Sequence, residues 1–110
     1  MITTHVLDTA IGRPAAGVGL SLARWAGDDW QALATGATDA DGRCRTLTPA
    51  GPVEPGRYRL RFDTEGYLAG RGDPVFFPVV EIVFQIVDGA QHFHVPLLLS
   101  PFGYSTYRGS

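Results

Sequence analysis

The sequence predicts an all-β domain: a sandwich of two sheets, about seven or eight strands, with a single short helix. Three observations carry this reading. Apolar residues recur at every second position along most of the chain, as in Val18, Leu20, Leu22 and in Tyr58, Leu60, Phe62. Turn formers punctuate these runs at regular spacing: Gly27-Asp28-Asp29, Asp39-Ala40-Asp41-Gly42, Asp88-Gly89 and Ser100-Pro101-Phe102-Gly103. Only residues 64–71 offer the capping chemistry of a helix, roughly two turns long.

Taken in order, residues 3–8 form a short strand, and residues 10–16, with Gly12 and Pro14, a loop. Residues 17–26 alternate, with Val18, Leu20, Leu22 and Arg24 on one face and Gly19, Ser21, Ala23 and Trp25 on the other. Residues 30–38 return beside them as a hairpin. A short strand is expected over residues 43–47, then a surface loop over 48–56, rich in proline and glycine. Along residues 57–63, Tyr58, Leu60 and Phe62 face inward and Arg57, Arg59, Arg61 and Asp63 face water.

Thr64 is expected to cap the helix, Glu65 suits its first turn, and Gly70 or Gly72 ends it. A loop over residues 72–78 closes on Phe76-Phe77-Pro78. Residues 79–87 read as a long strand with apolar residues on both faces: Val80, Ile82, Phe84 and Ile86 against Val79, Glu81, Val83, Gln85 and Val87. A strand of that kind is covered on both faces, and the second cover is expected to be another subunit. Asp88-Gly89 signals a hairpin, so the last three strands are expected to form a meander.

Residues 92–99 then point Phe93, Val95, Leu97 and Leu99 one way and His92, His94 and Leu98 the other. The two imidazoles stand about 7 Å apart on one face. The turn at Ser100-Pro101-Phe102-Gly103 uses proline's fixed φ and a positive φ at Gly103. Residues 104–108 run back as a strand.

Composition narrows the function. The chain of 110 residues fits one domain spanning residues 1–110. A net charge of −2, with nine basic residues spread along the chain, offers no basic patch, which argues against nucleic acid as a partner. The single cysteine, Cys44, forms no internal disulfide and reads as a small buried hydrophobe. That suits a reducing compartment, and a cytoplasmic location is expected. The first residues lack the basic and apolar regions of a secretory signal, and no run approaches the ~20 apolar residues of a membrane span. There is no Gly-x-Ser-x-Gly elbow and no phosphate-binding glycine motif.

The groups left to do chemistry are His5, Arg43, His92, His94, Tyr107, Arg108 and Ser110. His92, His94 and His5 also match the ligand count of a zinc site, since His-x-His on a strand with a third histidine is one such arrangement.

The block from His92 to Ser110, H-x-H-V-P-L-L-L-S-P-x-G-Y-S-T-Y-R-G-S, closely resembles the C-terminal signature of the 5-hydroxyisourate hydrolases, the enzyme branch of the transthyretin-like proteins. Tyr107-Arg108-Gly109-Ser110 is the tetrapeptide that marks this branch against the hormone carriers. Thr4-His5-Val6-Leu7-Asp8-Thr9, with Gly12-Arg13-Pro14-Ala15, is similar to the N-terminal motif of these enzymes. Thr38-Asp39-Ala40-Asp41-Gly42-Arg43 is similar to the central motif, and Phe76-Phe77-Pro78 to a further triplet. The resemblance spans essentially the whole chain. It departs at Phe93, where tyrosine is common, and at Cys44 after the central arginine; neither change removes a functional group.

The resemblance implies a transthyretin-like Greek-key sandwich. It implies hydrolysis of 5-hydroxyisourate in urate degradation, with no metal and no cofactor. It also implies a homotetramer with its sites in a channel at the dimer–dimer interface. Carried over position by position, it makes His5, Arg43, His94 and Ser110 catalytic, brings His5, Arg43 and Tyr107 onto the substrate, and leaves His92, Arg108 and Gly109 in support. The chemistry is coherent. Opening a cyclic amide-like bond needs a base for water, a donor for the developing oxyanion and groups that hold a planar ring. A neutral histidine suits the first task, and a permanently charged planar guanidinium the second. Either His94 or His5 can be the base. Two other functions fit the same sandwich, an apolar-ligand carrier and a zinc hydrolase; two histidines and an arginine in the channel count against the carrier.

Overall fold

The computed structural model describes all residues, 1–110. Two sheets face each other. The first runs β2 (Arg13–Pro14), β1 (Ile2–Asp8), β8 (Phe93–Ser100), β9 (Gly103–Thr106), and β5 (Arg43–Cys44) also pairs with β1. The second runs β4 (Trp30–Ala37), β3 (Gly19–Trp25), β6 (Gly56–Phe62), β7 (Val80–Ile86). The helix α1 (Thr64–Gly70) connects β6 to β7. The expected strands are present, and β2 is an additional pair of residues within the expected loop.

Alternation selects the core. Ile2 and Val6 of β1, Leu20 and Leu22 of β3, Leu60 and Phe62 of β6, and Leu97 and Leu99 of β8 meet between the sheets, all 5% exposed or less. Truncating a fully buried leucine such as Leu60 costs about 2–5 kcal/mol. Arg24 shares the inward face with Leu22, half-buried, and its Nη2 donates to the Pro55 carbonyl at 2.8 Å. A bulge places Leu33 opposite the Leu22–Ala23 step of β3.

The expected meander is not formed. β7 pairs with β6, whereas β8 pairs parallel with β1 and antiparallel with β9, so the Asp88-Gly89 segment crosses from one sheet to the other. Gly89 does not adopt positive φ as a hairpin turn would require. It is a glycine of close approach: the Val53 N–H donates to its carbonyl at 2.9 Å, and a Cβ would stand 1.7 Å from the Val53 oxygen. The Asp88 carboxylate accepts the Ala90 N–H and shapes a corner.

Three local expectations are also corrected. The helix is capped by Asp63, whose carboxylate accepts the Gly66 N–H; the Thr64 hydroxyl instead donates to the Phe77 carbonyl, tying the helix to its following loop. Gly72, at φ +75°, ends the helix beyond Arg71. Gly103 does not take positive φ, because the hairpin turns on Pro101 and Phe102. The strand expected over residues 43–47 stops at Cys44; beyond it the Ile2 N–H donates to the Thr48 hydroxyl, a side chain replacing a ladder bond.

The outward face of β7 has no cover within the chain: Val83 is 53% exposed, and Val87 just beyond it 83%. No helix is long and apolar enough to cross a membrane.

Candidate active site

Because even-numbered residues of β1 point into the core, Thr3 and His5 share the outward face of the first sheet. β1 and β8 run parallel with Thr3 opposite His94, and β5 sets Arg43 opposite His5. Three strands from distant parts of the sequence thus bring His5, Arg43, His92 and His94 to one outer face. The ring centroids of His5 and His94 are 6.5 Å apart, and those of His92 and His94 are 6.3 Å apart.

The turn before β5 fixes two of these groups. The Asp39 carboxylate accepts the N–H of Asp41 and that of Arg43, each at 2.9 Å. The Arg43 amide is the foremost cause of a carboxyl held below its usual range, with burial opposing it and the Asp41 amide assisting. Gly42 takes φ +76°, and a Cβ there would meet the Val6 carbonyl oxygen at 2.4 Å, so only glycine fits. The same turn presents the Asp41 carbonyl to His5, whose Nε2–H donates to it at 2.8 Å. Its orientation and tautomer are therefore set, with Nδ1 left as the free nitrogen.

His94 is half-buried. Its Nδ1 lies 2.8 Å from the Thr3 hydroxyl, which lies 2.8 Å from His92 Nε2 as well. No protein group hydrogen-bonds its Nε2. Burial pushes the His94 pKa below the ordinary imidazole value, and Arg43, His5, His92 and Arg45 push it the same way, in that order. A neutral imidazole with one open nitrogen is equipped to be a base.

A pocket of about 190 Å³ opens here, lined by Arg43, Arg45, His92, His94 and Ser110, with Met1, Thr3 and Thr4 completing the wall. Met1 is its one hydrophobic member. Ser110 arrives because the Gly109 N–H donates to the His94 carbonyl at 2.7 Å, extending the β8–β9 pairing by one bridge. His5 stands beside this pocket rather than in its wall.

Tyr107 is not brought to this pocket within one chain. It is 57% exposed and lines a separate groove of about 240 Å³ with Phe93, Val95 and residues of β7. Arg108 lines that groove too; its guanidinium sits 4.8 Å over the Phe93 ring and donates to the Gln91 side-chain oxygen at 2.6 Å. No group of three or more His, Cys, Asp or Glu side chains is arranged to hold a metal ion. Two polar pocket residues, Thr3 and Arg45, stand in none of the motifs or candidates named from the sequence. The available signal for Thr3 was its spacing of two from His5. Arg45 follows Arg43 by the same spacing.

Residues 2–109 match the profile of the HIUase/Transthyretin family. The chain belongs to that family. A mouse 5-hydroxyisourate hydrolase is 52% identical over 111 residues, covering 99% of this chain and 94% of the mouse protein. The solved 5-hydroxyisourate hydrolase of Klebsiella pneumoniae superimposes at a TM-score of 0.85 with 40% identity, covering 99% of this chain and 98% of that one. A sea bream transthyretin, solved in complex with thyroxine, superimposes at 0.91 with 36% identity, covering 98% and 93%. The backbone is thus the transthyretin-like sandwich in both branches of the family. With the curated hydrolases matching it along nearly its full length, the chain is an enzyme of the hydrolase class.

Proposed function

We propose that this enzyme hydrolyses 5-hydroxyisourate to 2-oxo-4-hydroxy-4-carboxy-5-ureidoimidazoline, a step of urate degradation, in the cytoplasm. The observation that carries the reading is the clustering of a neutral, open-sided His94 with Arg43 in a polar pocket. His94 Nε2 takes a proton from water while the water oxygen bonds the ring carbonyl carbon. The oxyanion that forms lies against the Arg43 guanidinium. His5, held by Asp41, orients the water. The C–N bond then breaks, the ring nitrogen takes back the proton, and the carboxylic acid formed ionises. Ser110 and Tyr107 supply hydrogen bonds to ring edges.

Tyr107 stands outside the pocket of a single chain, which fits an assembled site. We propose a homotetramer in which the site lies at a dimer–dimer interface, so that Tyr107 meets substrate across subunits. The uncovered face of β7 supports association of this kind.

The test is direct. 5-Hydroxyisourate is generated with urate oxidase and its absorbance is followed with and without this protein. Accelerated decay is expected; decay at the spontaneous rate sinks the reading. A carrier function on the same backbone is disfavoured by the pocket, where a single hydrophobic residue lines the wall.

A further inference from the structure

Thr3 is only 4% exposed, yet its hydroxyl touches two imidazoles at once, His92 Nε2 and His94 Nδ1, each at 2.8 Å. A hydroxyl owns one proton. It donates to one ring nitrogen and must accept from the other. Whenever both rings are neutral, their tautomers are therefore tied: because His94 meets Thr3 through Nδ1 and His92 meets it through Nε2, both rings carry the proton on Nδ1 or both carry it on Nε2. In one arrangement His94 Nδ1–H donates to Thr3, Thr3 donates to His92 Nε2, and His94 Nε2 is bare. In the other, His92 Nε2–H donates to Thr3, Thr3 donates to His94 Nδ1, and His94 carries its proton on Nε2. The first His94 is a base and the second an acid, at the same nitrogen beside the pocket.

We infer that Thr3 is a positioning residue whose hydroxyl sets the His94 tautomer and passes a proton between His94 and His92, making the two histidines one acid–base unit. This rests on His94 acting as the base. The protons balance. As the water oxygen bonds carbon, its proton reaches His94 Nε2; the Nδ1 proton moves to Thr3, and the Thr3 proton moves to His92 Nε2. His92 becomes the cation, and His94 is neutral with Nε2–H directed at the leaving nitrogen. When the C–N bond breaks, that nitrogen takes the Nε2 proton, and His92 returns its own through Thr3 to Nδ1. The enzyme ends as it began.

The geometry gives His92 a reason to share a face with His94: its Nε2 meets the same hydroxyl. It also explains why the bridging group is fixed: Thr3 lies opposite His94 in the parallel β1–β8 register, and burial holds its side chain. The charged and titratable groups facing His94 are Arg43, His5, His92 and Arg45, so the relay moves charge within a cationic pocket.

The test uses the full chain labelled with ¹⁵N-histidine. Two-bond ¹⁵N–¹H correlation at about pH 8, above the ordinary imidazole range, reads the tautomers of His92 and His94. Matching tautomers are expected in the unmodified protein, both rings protonated on Nδ1 or both on Nε2, in equal populations. In Thr3→Val the coupling is lost, and kcat falls roughly 10–100-fold, within what a mis-set tautomer costs a histidine base. KM stays within about two-fold because Thr3 donates nothing to substrate. Thr3→Ser restores both tautomers and kcat. Opposite tautomers for His92 and His94 in the unmodified protein, one ring protonated on Nδ1 and the other on Nε2, would overturn the inference, whatever the variants do. So would full kcat in folded Thr3→Val, or an equal loss in Thr3→Ser, which would mark a packing role. His94→Asn with undiminished turnover would remove the base assignment instead, and the tautomer coupling would be read independently of it.

Discussion

The Gly109 amide donates to the His94 carbonyl across 2.7 Å, and a Cβ on Gly109 would stand 2.6 Å from Cδ2 of the His94 ring. The glycine is the wall on which the imidazole rests. Gly109→Val must move either the ring or the final residues. A shift of ~1 Å costs about 100-fold in rate. The variant should fold, by circular dichroism, and lose most of its turnover. Unchanged kcat would show that His94 does not depend on this wall. Deleting Gly109 and Ser110 should also lower kcat, by removing wall and serine together.

Alanine at His5, Arg43 or His94 should each lower kcat by about 10²–10⁴-fold with the fold intact. His92→Ala should cost less, because its effect passes through Thr3. Steady-state kinetics beside circular dichroism checks this. If His94→Ala turned over near the normal rate, the base would have to be sought at His5 Nδ1.

The acid side of the pH profile follows from His94. The base form is the neutral ring, and burial with the neighbouring cations lowers its pKa from 6.5. The neutral form thus persists below 6.5, and kcat/KM should fall only once pH drops through the lowered value. Removing a repelling cation has the opposite sign. Arg45→Gln should move the acid limb upward, toward the ordinary value. A limb that stays put, or moves down, would mean that Arg45 does not act on His94 through its charge.

Tyr67 tests structure apart from chemistry. Its hydroxyl donates to the Asp8 carboxylate at 2.7 Å, and Asp8 is 2% exposed. Burial first, then Asp8, push the Tyr67 pKa up to about 12, so the donor proton stays in place at working pH. Arg71 lies 3.4 Å from the same oxygen, and the Ala10 N–H donates to the other. Tyr67→Phe leaves a buried carboxylate short of one donor, a loss of about 1–3 kcal/mol. Tm should fall by several degrees with kcat unaltered. A fall in kcat at unchanged Tm would contradict the structural role given to this pair.

Light scattering should give a mass of four times 11.8 kDa. A fully active monomer would remove both the tetramer and the shared site with Tyr107.

The strands were legible because alternation is local. Phe93, Val95, Leu97 and Leu99 declared a core face without reference to any partner, and so did Tyr58, Leu60 and Phe62. The chemistry-bearing residues were legible through their resemblance to known enzymes. Partnership between strands was not. Asp88-Gly89 has the composition of a hairpin, and only the approach of Val53, far away in sequence, makes it a corner between sheets. Asp63 and Thr64 are both good caps, and the Phe77 carbonyl that claims the Thr64 hydroxyl lies beyond the helix. Thr3 was passed over for the same reason: its importance comes from standing opposite His94, and nothing near Thr3 in the sequence announces β8 as its neighbour.

That neighbour is distant in the chain. Thr3 and His92 are 89 positions apart. Closing a loop of that length costs about 4 kcal/mol in chain entropy before any bond across it forms. The hairpin of β3 and β4 needs no such closure and is free to form early. The β1–β8 pairing therefore belongs to the late part of folding, and with it the meeting of Thr3, His5, His92 and His94. In a refolding experiment, strand signal in the far ultraviolet should precede the return of turnover. For a ribosome-bound chain the order is stricter still: β8 must clear the exit tunnel before β1 has its parallel partner, so catalytic competence is among the last properties this protein acquires.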